Sequence, residues 1–339
     1  MKVTLEFIAD KAKVSKSLVS KVLNNRMVRI SKEKKEKILS LAKKYNYEPN
    51  RFAAGLRKQK TNMIALILPT LYFDFFGKLA YAVESSARKA NYNVLICNTD
   101  EDLSIERQYL NLFRSGTIDG IIVSPSDNSA NLDILEAMNS EGFPFVFVDR
   151  YIENAKNSFV TTDSYYGAYT LTEKLIQKGH KKICFLSHTK SPNTSVQIDR
   201  YSGYFNAVTE HGLEQRRIWI PNEFDIAKQL LHNILTSENR PTAVVMVTSW
   251  DINPLLHTCC DLGLSIPYDI EIAAFDKFLI PYTSPLDMKV ALYLKEPLSI
   301  VEQNPREMGE RAVEILLKQI DSKDTERQRV FLKPNVISF

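Results

Sequence analysis

From residue 61 onward, short and continuously apolar runs alternate with amphipathic stretches of helical length. The runs predict seven strands: MIALIL (63–68), NVLIC (93–97), GIIV (120–123), PFVFV (144–148), KICFLS (182–187), AVVMV (243–247) and IEIAAF (270–275). The stretches between them predict helices near 75–90, 104–115, 131–141, 164–178, 196–210, 225–237 and 251–262. Strands that are apolar on both faces belong to parallel sheets covered by helices on both sides. The pattern therefore predicts an α/β fold.

Seven strand–helix units are more than one ordinary doubly wound sheet holds. The helix near 164–178 is interpreted as the beginning of a second series of such units. We therefore expect two lobes, each built on a parallel sheet. Ligands of such sheets bind outside the carboxyl ends of the strands. The expected binding site lies between the two lobes.

Charge is unevenly distributed along the chain, although the net charge is only +4. Residues 1–60 hold 17 Lys and Arg against 5 Asp and Glu, a balance of +12, which leaves −8 for residues 61–339. A small basic segment on an acidic body is the pattern expected of a protein that binds a polyanion such as DNA.

Three short amphipathic helices are predicted in this basic segment. Thr4, Ser15 and Ser31 are suitable N-caps, and each precedes an apolar face of helical period. The inward residues are expected to be Leu5, Ile8, Ala9 and Ala12, then Leu18, Val19, Val22 and Leu23, then Ile38, Leu41, Ala42 and Tyr45. Two short helices joined by a tight turn, with a third packed across them, form an all-α helix-turn-helix domain.

The second helix is expected to read DNA, because the N-terminal residues of a recognition helix meet base edges in the major groove. Its outward side chains can donate hydrogen bonds to purine edges or to phosphates. The candidate DNA-contacting residues are Thr4, Ser15, Lys16, Ser17, Ser20, Lys21 and Asn24.

Enzyme motifs are absent from the sequence. None of the 11 glycines forms GxGxxG, and the chain has no GxxxxGK[ST], GxSxG or HExxH. The five histidines lack metal-ligand spacing and are interpreted as surface or helix-end residues, and the four cysteines as buried apolar residues. We therefore expect neither an enzyme nor a bound cofactor or metal. The sequence also lacks a secretory signal and an apolar run long enough for a membrane span, so we expect a cytoplasmic protein without a membrane partner.

Two segments carry a resemblance to a known family. TLEFIADKAKVSKSLVSKVLNN, followed by RISKEKKEKILSLAKKYNYEPNRFAAGLRKQKTNMIALILP, resembles the N-terminus of the LacI/GalR transcription factors, and YEPNRFAAGL is the most specific part. The likeness extends over the whole chain. It implies a homodimeric regulator that binds a palindromic operator in double-stranded DNA, with an affinity set by a small effector. It also implies a periplasmic-binding-protein-like body.

The resemblance implies three segments along the chain. Residues 1–48 form the DNA-binding domain, 49–60 the hinge and 61–339 the effector-binding and dimerisation domain. The expected N-lobe comprises 61–161 and 293–325, and the C-lobe comprises 162–292 and 326–339. In the hinge, Leu56 occupies the family's position for a minor-groove wedge. Asn50, Ala53 and Arg57 flank it as further candidate DNA contacts.

The resemblance also implies the effector-binding residues. They are Phe75 of the paired aromatic position, Asp149 and Asp276 after two strands, Arg200, and the dipeptide Trp250–Asp251. Carboxylates and arginine across a cleft suit a polyhydroxylated ligand, because each hydroxyl can donate and accept. A carbohydrate effector is therefore expected. Trp250 and Phe75 leave a nucleobase open. A protein co-regulator in place of the sugar, or a sugar-binding protein without a role on DNA, is also compatible with the sequence.

Two departures from the family pattern affect these expectations. Lys13 stands where the family usually has Gly, in the turn before the recognition helix, and a lysine there costs about 1 kcal/mol if the turn requires a positive φ. Trp250 replaces an Asn, so a stacking surface takes the place of a hydrogen-bonding amide.

Overall fold

The computed structural model describes residues 4–23, 27–45, 47, 60–155, 157–189, 192–249, 252–277, 298–322 and 326–338. The chain divides into two compact units, Met1–Asn62 and Met63–Phe339. We call them the N-terminal unit and the body.

The N-terminal unit contains the three predicted helices, α1 (Leu5–Ala12), α2 (Lys16–Leu23) and α3 (Lys32–Lys44). The predicted caps form, because the hydroxyls of Thr4, Ser15 and Ser31 each accept a hydrogen bond from a main-chain N–H three residues on. The buried core of this unit consists of Ile8, Ala9, Ala12, Val19, Val22 and Ile38, with a small additional contribution from Ala42. A helix-turn-helix arrangement is thus formed around a small apolar core.

The turn between α1 and α2 does require a positive φ, which is the condition under which a lysine at position 13 is strained. Lys13 has φ 56° and ψ 49°, in the left-handed region, and its N–H closes the end of α1 on carbonyls of Ala9 and Asp10. A side chain with a Cβ is disfavoured in this region. Lysine therefore stands at a position where glycine would be unstrained.

The body contains two six-stranded sheets. The strands are β1 (Met63–Leu68), β2 (Asn93–Asn98), β3 (Gly120–Val123), β4 (Phe145–Val148), β5 (Ser158–Thr162), β6 (Ile183–His188), β7 (Arg217–Ile220), β8 (Ala243–Met246), β9 (Glu271–Phe275), β10 (Ser299–Glu302), β11 (Arg329–Leu332) and β12 (Asn335–Ile337). The helices are α4 (Asp74–Lys89), α5 (Leu103–Arg114), α6 (Leu132–Ser140), α7 (Ser164–Gln177), α8 (Ser195–Glu210), α9 (Phe224–Leu235), α10 (Ile252–Leu262) and α11 (Pro305–Ser322). All seven predicted strands and all seven predicted helices of the body are present, with ends shifted by one or two residues.

The two sheets have the same strand order. The first sheet has the order β2-β1-β3-β4-β5-β11, and the second has β7-β6-β8-β9-β10-β12. Every strand pair is parallel except β10–β12. β4 and β9 hold equivalent places, and each is followed by an aspartate in the left-handed region, Asp149 with φ 62° and Asp276 with φ 66°. The two-lobed α/β body is confirmed, and the two candidate aspartates occupy corresponding positions in its lobes.

The predicted lobe boundaries after residue 292 are wrong. β10 pairs with β9 and belongs to the second sheet, whereas the later β11 pairs with β5 and belongs to the first. The described chain therefore crosses near 163, 303 and 333. We call 63–162 with 305–332 the first lobe, and 164–302 with 335–337 the second lobe. The edge strands β11 and β12 lack a continuous apolar run, and pairing with a neighbouring strand rather than local sequence stabilises them.

α11 was not predicted, although its apolar spacing indicates a helix. Met308, Ala312, Val313 and Leu316 lie on one face and are buried in the core of the first lobe. The C-terminal helix thus covers one face of the first sheet after the chain has returned from the second lobe.

The interpretation of all five histidines as surface or helix-end residues is wrong for two of them. His257 is buried in α10 with its ring edge-on to Phe224. The second, His188, ends β6 and lines the cleft described below. His180 does lie at the end of α7, where its N–H donates to the Leu175 carbonyl and its Nε2 is 3.1 Å from Oε2 of the buried Glu271. Of the cysteines, Cys97, Cys184 and Cys259 are buried as expected.

Replacing Lys13 with Gly is expected to stabilise α1 and α2, because glycine removes the Cβ clash of the left-handed turn. A gain of about 1 kcal/mol lowers the equilibrium constant for opening of these helices, and with it the exchange rate of their amides, roughly fivefold. Amide hydrogen exchange of α1 and α2 in the whole chain measures this. Lys13→Ala is the matched control, because it removes the charge but keeps the Cβ; equal protection in both variants would contradict the strain.

Candidate effector cleft and DNA-binding surface

A narrow cleft lies between the lobes of the body at the carboxyl ends of the strands. Its lining comes from both lobes: Phe75, Phe76, Asp149, Arg150, His188, Thr194, Val196, Gln197, Arg200, Val247, Thr248, Asp276 and Gln303. The enclosed cavity measures about 30 Å³. Small-molecule sites usually measure about 300–1,000 Å³, so a ligand would enter only with a separation of the lobes or a rearrangement of side chains.

Arg200 is the central cation of the cleft. It extends from α8, its Nη1 donates to the Val247 carbonyl at 2.7 Å, and its Nε donates to Ser164 Oγ at 3.3 Å. Its guanidinium carbon lies 3.8 Å from the centre of the Phe275 ring. A guanidinium is suited to this place because it can stack and donate at the same time.

Asp276 faces Arg200 from the end of β9. Its Oδ2 accepts a hydrogen bond of 2.8 Å from Gln303 Nε2, which follows β10. Burial raises the pKa of Asp276 to about 6, although Arg200 and the Gln303 amide both lower it. Burial likewise lowers the pKa of the Arg200 guanidinium, against the attraction of Asp276 and Asp149.

Asp149 and Arg150 supply the corresponding charges from the first lobe. Asp149 Oδ2 is 3.5 Å from Ser124 Oγ and 4.0 Å from Arg150 Nε. Burial raises the pKa of Asp149, opposed by the nearby Arg150 and Arg200. Arg150 Nη2 donates to Glu101 Oε1 at 2.9 Å, and both of these side chains are nearly fully buried. Buried charges of both signs therefore meet in the cleft.

Arg150 and Gln303 carry buried polar atoms at this cleft that have no hydrogen-bond partner within the described part of the chain. They are Nε and Nη1 of Arg150 and Oε1 of Gln303. An unsatisfied buried group is costly unless a water or a ligand pairs with it. Arg150 thus offers donors, and Gln303 an acceptor, to a bound molecule.

Phe75 and Phe76 close the cleft on the side of the first lobe. Both are buried on α4, and their rings meet edge-on with centroids 5.2 Å apart. Both belong to the apolar core of that lobe as well as to the cleft lining.

Polar contacts join the rims of the two lobes. The Asn128 N–H donates to the Asn193 carbonyl at 2.9 Å. The Tyr151 N–H donates to Ser195 Oγ at 3.0 Å, and the Tyr151 hydroxyl donates to Asp199 at 3.1 Å. The lobes are thus held together at the rim by groups that can exchange these bonds for water.

The structure brings four of the six predicted effector residues into one cleft: Phe75, Asp149, Arg200 and Asp276. The other two, Trp250 and Asp251, lie outside the described residues. Sequence reasoning missed Arg150 and Gln303, together with His188, Gln197 and the smaller lining residues. Arg150 directly follows a predicted site residue and could have been found, whereas Gln303 follows the unpredicted strand β10.

The predicted DNA-reading surface lies on α2. Lys16, Ser17 and Lys21 are exposed, and Ser20 is half-buried. Lys16 Nζ lies 3.7 Å from a carboxylate oxygen of Glu6, in an exposed pair that salt would screen. The remaining DNA candidates Asn24, Asn50, Ala53, Leu56 and Arg57, and the hinge except for Lys60, lie outside the described residues.

Metal clusters and membrane-spanning helices are both absent from the described ranges. No group of three or more His, Cys, Asp or Glu residues there could hold a metal ion. No helix there is long and apolar enough to cross a membrane.

Comparison with known proteins agrees with this architecture. Residues 4–50 match the family model of bacterial regulatory proteins of the lacI family, and residues 61–338 match that of periplasmic binding proteins and the sugar binding domain of the LacI family. The ribose operon repressor of Haemophilus influenzae is 30% identical over 337 residues, 98% of this chain and 97% of that protein. The transcriptional repressor PurR of Photobacterium profundum is 27% identical over 339 residues, again 98% and 97%. A crystal structure of a putative ribose operon repressor from Burkholderia thailandensis superposes with a TM-score of 0.70, at 28% identity, over 82% of this chain and 99% of that chain.

A helix-turn-helix unit with a basic reading helix, followed by a two-lobed body with a charged cleft, defines a DNA-binding transcriptional regulator. The chain belongs to the LacI family of bacterial regulatory proteins. Its relatives are transcriptional regulators, and it is not an enzyme.

Replacing Asp276 with Asn is expected to stabilise the effector-free protein at pH 7. The folded pKa of about 6 lies above the ordinary 3.8, so the contribution of this group to stability is full below pH 4 and is lost as the pH rises through 6. The variant should gain roughly 1–3 kcal/mol at pH 7, and the gain should shrink towards pH 4. Denaturant unfolding across this pH range measures it, with the exposed Asp225→Asn as control. A loss of stability at pH 7, or a gain that does not depend on pH, would contradict the burial effect.

Proposed function

We propose that this protein is a transcriptional repressor whose affinity for its operator is controlled by a small effector, a sugar or sugar derivative, bound between the two lobes. The observation that carries the proposal is the set of buried charges in the cleft. Its DNA target would place it in the cytoplasm.

The chemistry of the cleft favours a polyhydroxylated ligand. The carboxylates of Asp149 and Asp276 can accept from hydroxyl groups, and Arg150 Nη1 can donate to a hydroxyl or ring oxygen. The Oε1 atom of Gln303 adds an acceptor. A vicinal diol satisfies such a mixed set, because each hydroxyl donates and accepts at once. The rings of Phe75 and Phe76 offer apolar surface for the C–H face of a sugar.

On the DNA side, Lys16, Ser17 and Lys21 would contact the major groove, and the segment 49–60 would enter the minor groove with Leu56 as its wedge. Two-fold symmetry of a homodimer would match a palindromic operator. The +12 balance of residues 1–60 supports phosphate neutralisation, which makes binding strongly dependent on salt.

The first lobe supplies a surface suited to a homodimer. β2 is the edge strand of its sheet and leaves Leu95 and Ile96 exposed. Tyr81 on α4 and Leu112 on α5 are also exposed apolar residues of this lobe. Exposed apolar side chains on an open sheet edge favour burial against another chain.

The rim contacts support a mechanism in which the effector changes the angle between the lobes. A ligand that fills the cleft must displace or reuse groups such as Asn193 and Tyr151 that now join the rims. It can shift the equilibrium only by its difference in affinity for the two lobe arrangements, typically 1–3 kcal/mol.

A thermal-shift screen of the whole protein against monosaccharides, oligosaccharides, sugar phosphates and nucleobases tests the effector class. A sugar at 100 times its dissociation constant should stabilise the protein by about 2.7 kcal/mol. Arg200→Lys should abolish the shift, because lysine keeps the charge but cannot both stack on Phe275 and donate along two directions.

The exposed Arg306→Ala is the control and should respond as the wild type does. Stabilisation by a nucleobase, with no sugar giving a shift, would replace the carbohydrate assignment. The absence of any shift would point to a protein co-regulator.

A further inference from the structure

Arg150 is a buried cation, and only part of its guanidinium donates hydrogen bonds to the protein. Its side chain is only 5% exposed, and its Nη2 donates to Glu101 at 2.9 Å. Its Nε lies at the longer distance of 4.0 Å from Asp149. Neither Nε nor Nη1 has a hydrogen-bond partner within the described chain, and the residue lines the cleft. Of the three guanidinium nitrogens of Arg150, Nη2 is thus the one that Glu101 holds.

Glu101 reaches Arg150 from an unusual turn after β2. Asp100 and Glu101 are consecutive residues with φ 52° and 59°, both in the left-handed region that disfavours residues other than glycine. Main-chain bonds fix this turn: the Glu101 N–H donates to the Pro69 carbonyl, and the Asp102 N–H donates to the Thr99 carbonyl, each at 3.0 Å. Strained turns persist where the surroundings fix them, and here the strain directs a carboxylate inward.

Glu101 also changes the charge balance at the cleft. The lining itself has two guanidinium groups, Arg150 and Arg200, and two carboxylates, Asp149 and Asp276. Glu101 lies behind Arg150 with 7% of its side chain exposed and adds a third carboxylate. Carboxylates therefore outnumber guanidinium groups by one. Recognition of a phosphate or carboxylate by arginine normally uses two parallel N–H donors, and Glu101 already takes one terminal nitrogen of Arg150.

We infer that Glu101 is a positioning residue that sets the specificity of the cleft for uncharged polyols against their anionic derivatives. It orients Arg150 so that Nη1 faces the ligand, and it neutralises the charge that would otherwise attract an anion. A neutral hydroxyl or ring oxygen can accept from Nη1 alone. A phosphate group would find no adjacent pair of unused donors on Arg150, because both bidentate modes of a guanidinium need Nη2, and it would meet three nearby carboxylates. This inference rests on the proposed function for the location of the effector site.

Glu101→Gln tests the inference, because the amide keeps the shape and can still contact Arg150 while the negative charge is lost. The probes are D-ribose, D-ribose 5-phosphate and inorganic phosphate, measured by isothermal titration calorimetry at constant ionic strength. We expect the variant to bind inorganic phosphate and D-ribose 5-phosphate at least about tenfold more tightly than the wild type does. Affinity for D-ribose should fall or stay unchanged.

Two controls locate the effect. Glu136→Gln removes an equal charge from the exposed surface of α6 and should leave phosphate affinity at the wild-type value. The double variant with Glu101→Gln and Arg150→Met should lose the gain in phosphate affinity, since the anion would have lost its donor. A gain that persists in the double variant, or that Glu136→Gln reproduces, would overturn the inference.

The phosphate arm separates this inference from the proposed function. If no sugar binds but Glu101→Gln gains phosphate affinity through Arg150, the carbohydrate assignment fails and the role of Glu101 stands. If D-ribose binds and the variant gains no phosphate affinity, the role of Glu101 fails. The wild-type protein supplies a test that does not require Glu101→Gln to fold. Saturable binding of inorganic phosphate to the wild type, if Arg150→Met abolishes it, would overturn the inference directly.

Discussion

Arg200 is buried between three segments of the second lobe, and the architecture of the cleft depends on how its charge is held there. The carbonyl after β8, the hydroxyl at the start of α7 and the ring at the end of β9 each contact its guanidinium. Asp276 and Asp149 balance its charge from the two lobes. Removing Arg200 would leave both buried carboxylates without their cation, at a cost of about 3–5 kcal/mol. The carboxyl ends of both sheets are therefore electrostatically linked, and a ligand that joins this set acts on both lobes at once.

The corresponding aspartates explain how the two lobes share the site. Asp149 and Asp276 follow equivalent strands, and the N–H of each donates to the neighbouring strand, to Val160 and to Val301 respectively, at 2.9 Å. The left-handed conformation of each residue ends the strand while leaving the carboxylate at the cleft. Burial raises the pKa of both carboxyl groups, so keeping them ionised in the cleft costs stability. A ligand that hydrogen-bonds to these carboxylates relieves part of that cost, which makes the cleft responsive to its occupant.

The sequence predicted those elements whose residues show a strong local pattern. The continuous apolar runs such as 63–68 and 120–123 predicted the inner strands, because these are buried on both faces. The strands β7, β11 and β12 were missed at the sheet edges, and the inner strands β5 and β10 were missed because polar residues interrupt their apolar runs, as in the SFVTT run of β5. The predicted lobe boundaries were wrong for a related reason. The sheet to which β10 or β11 belongs is decided by pairing with strands that are distant in sequence. Within the cleft, Asp149, Arg200 and Asp276 were predicted through a family resemblance, whereas the partners Glu101 and Gln303 depend on three-dimensional proximity.

Effector control requires that occupancy of the cleft changes DNA binding. The most direct measurement is the affinity of the whole protein for its operator, by fluorescence anisotropy at fixed salt, with and without a saturating effector found in the ligand screen. The predicted result is a change of about 5–150-fold, with an equal change in effector affinity when operator DNA is saturating. An effector that binds in the cleft and leaves operator affinity unchanged would contradict control of DNA binding by the cleft.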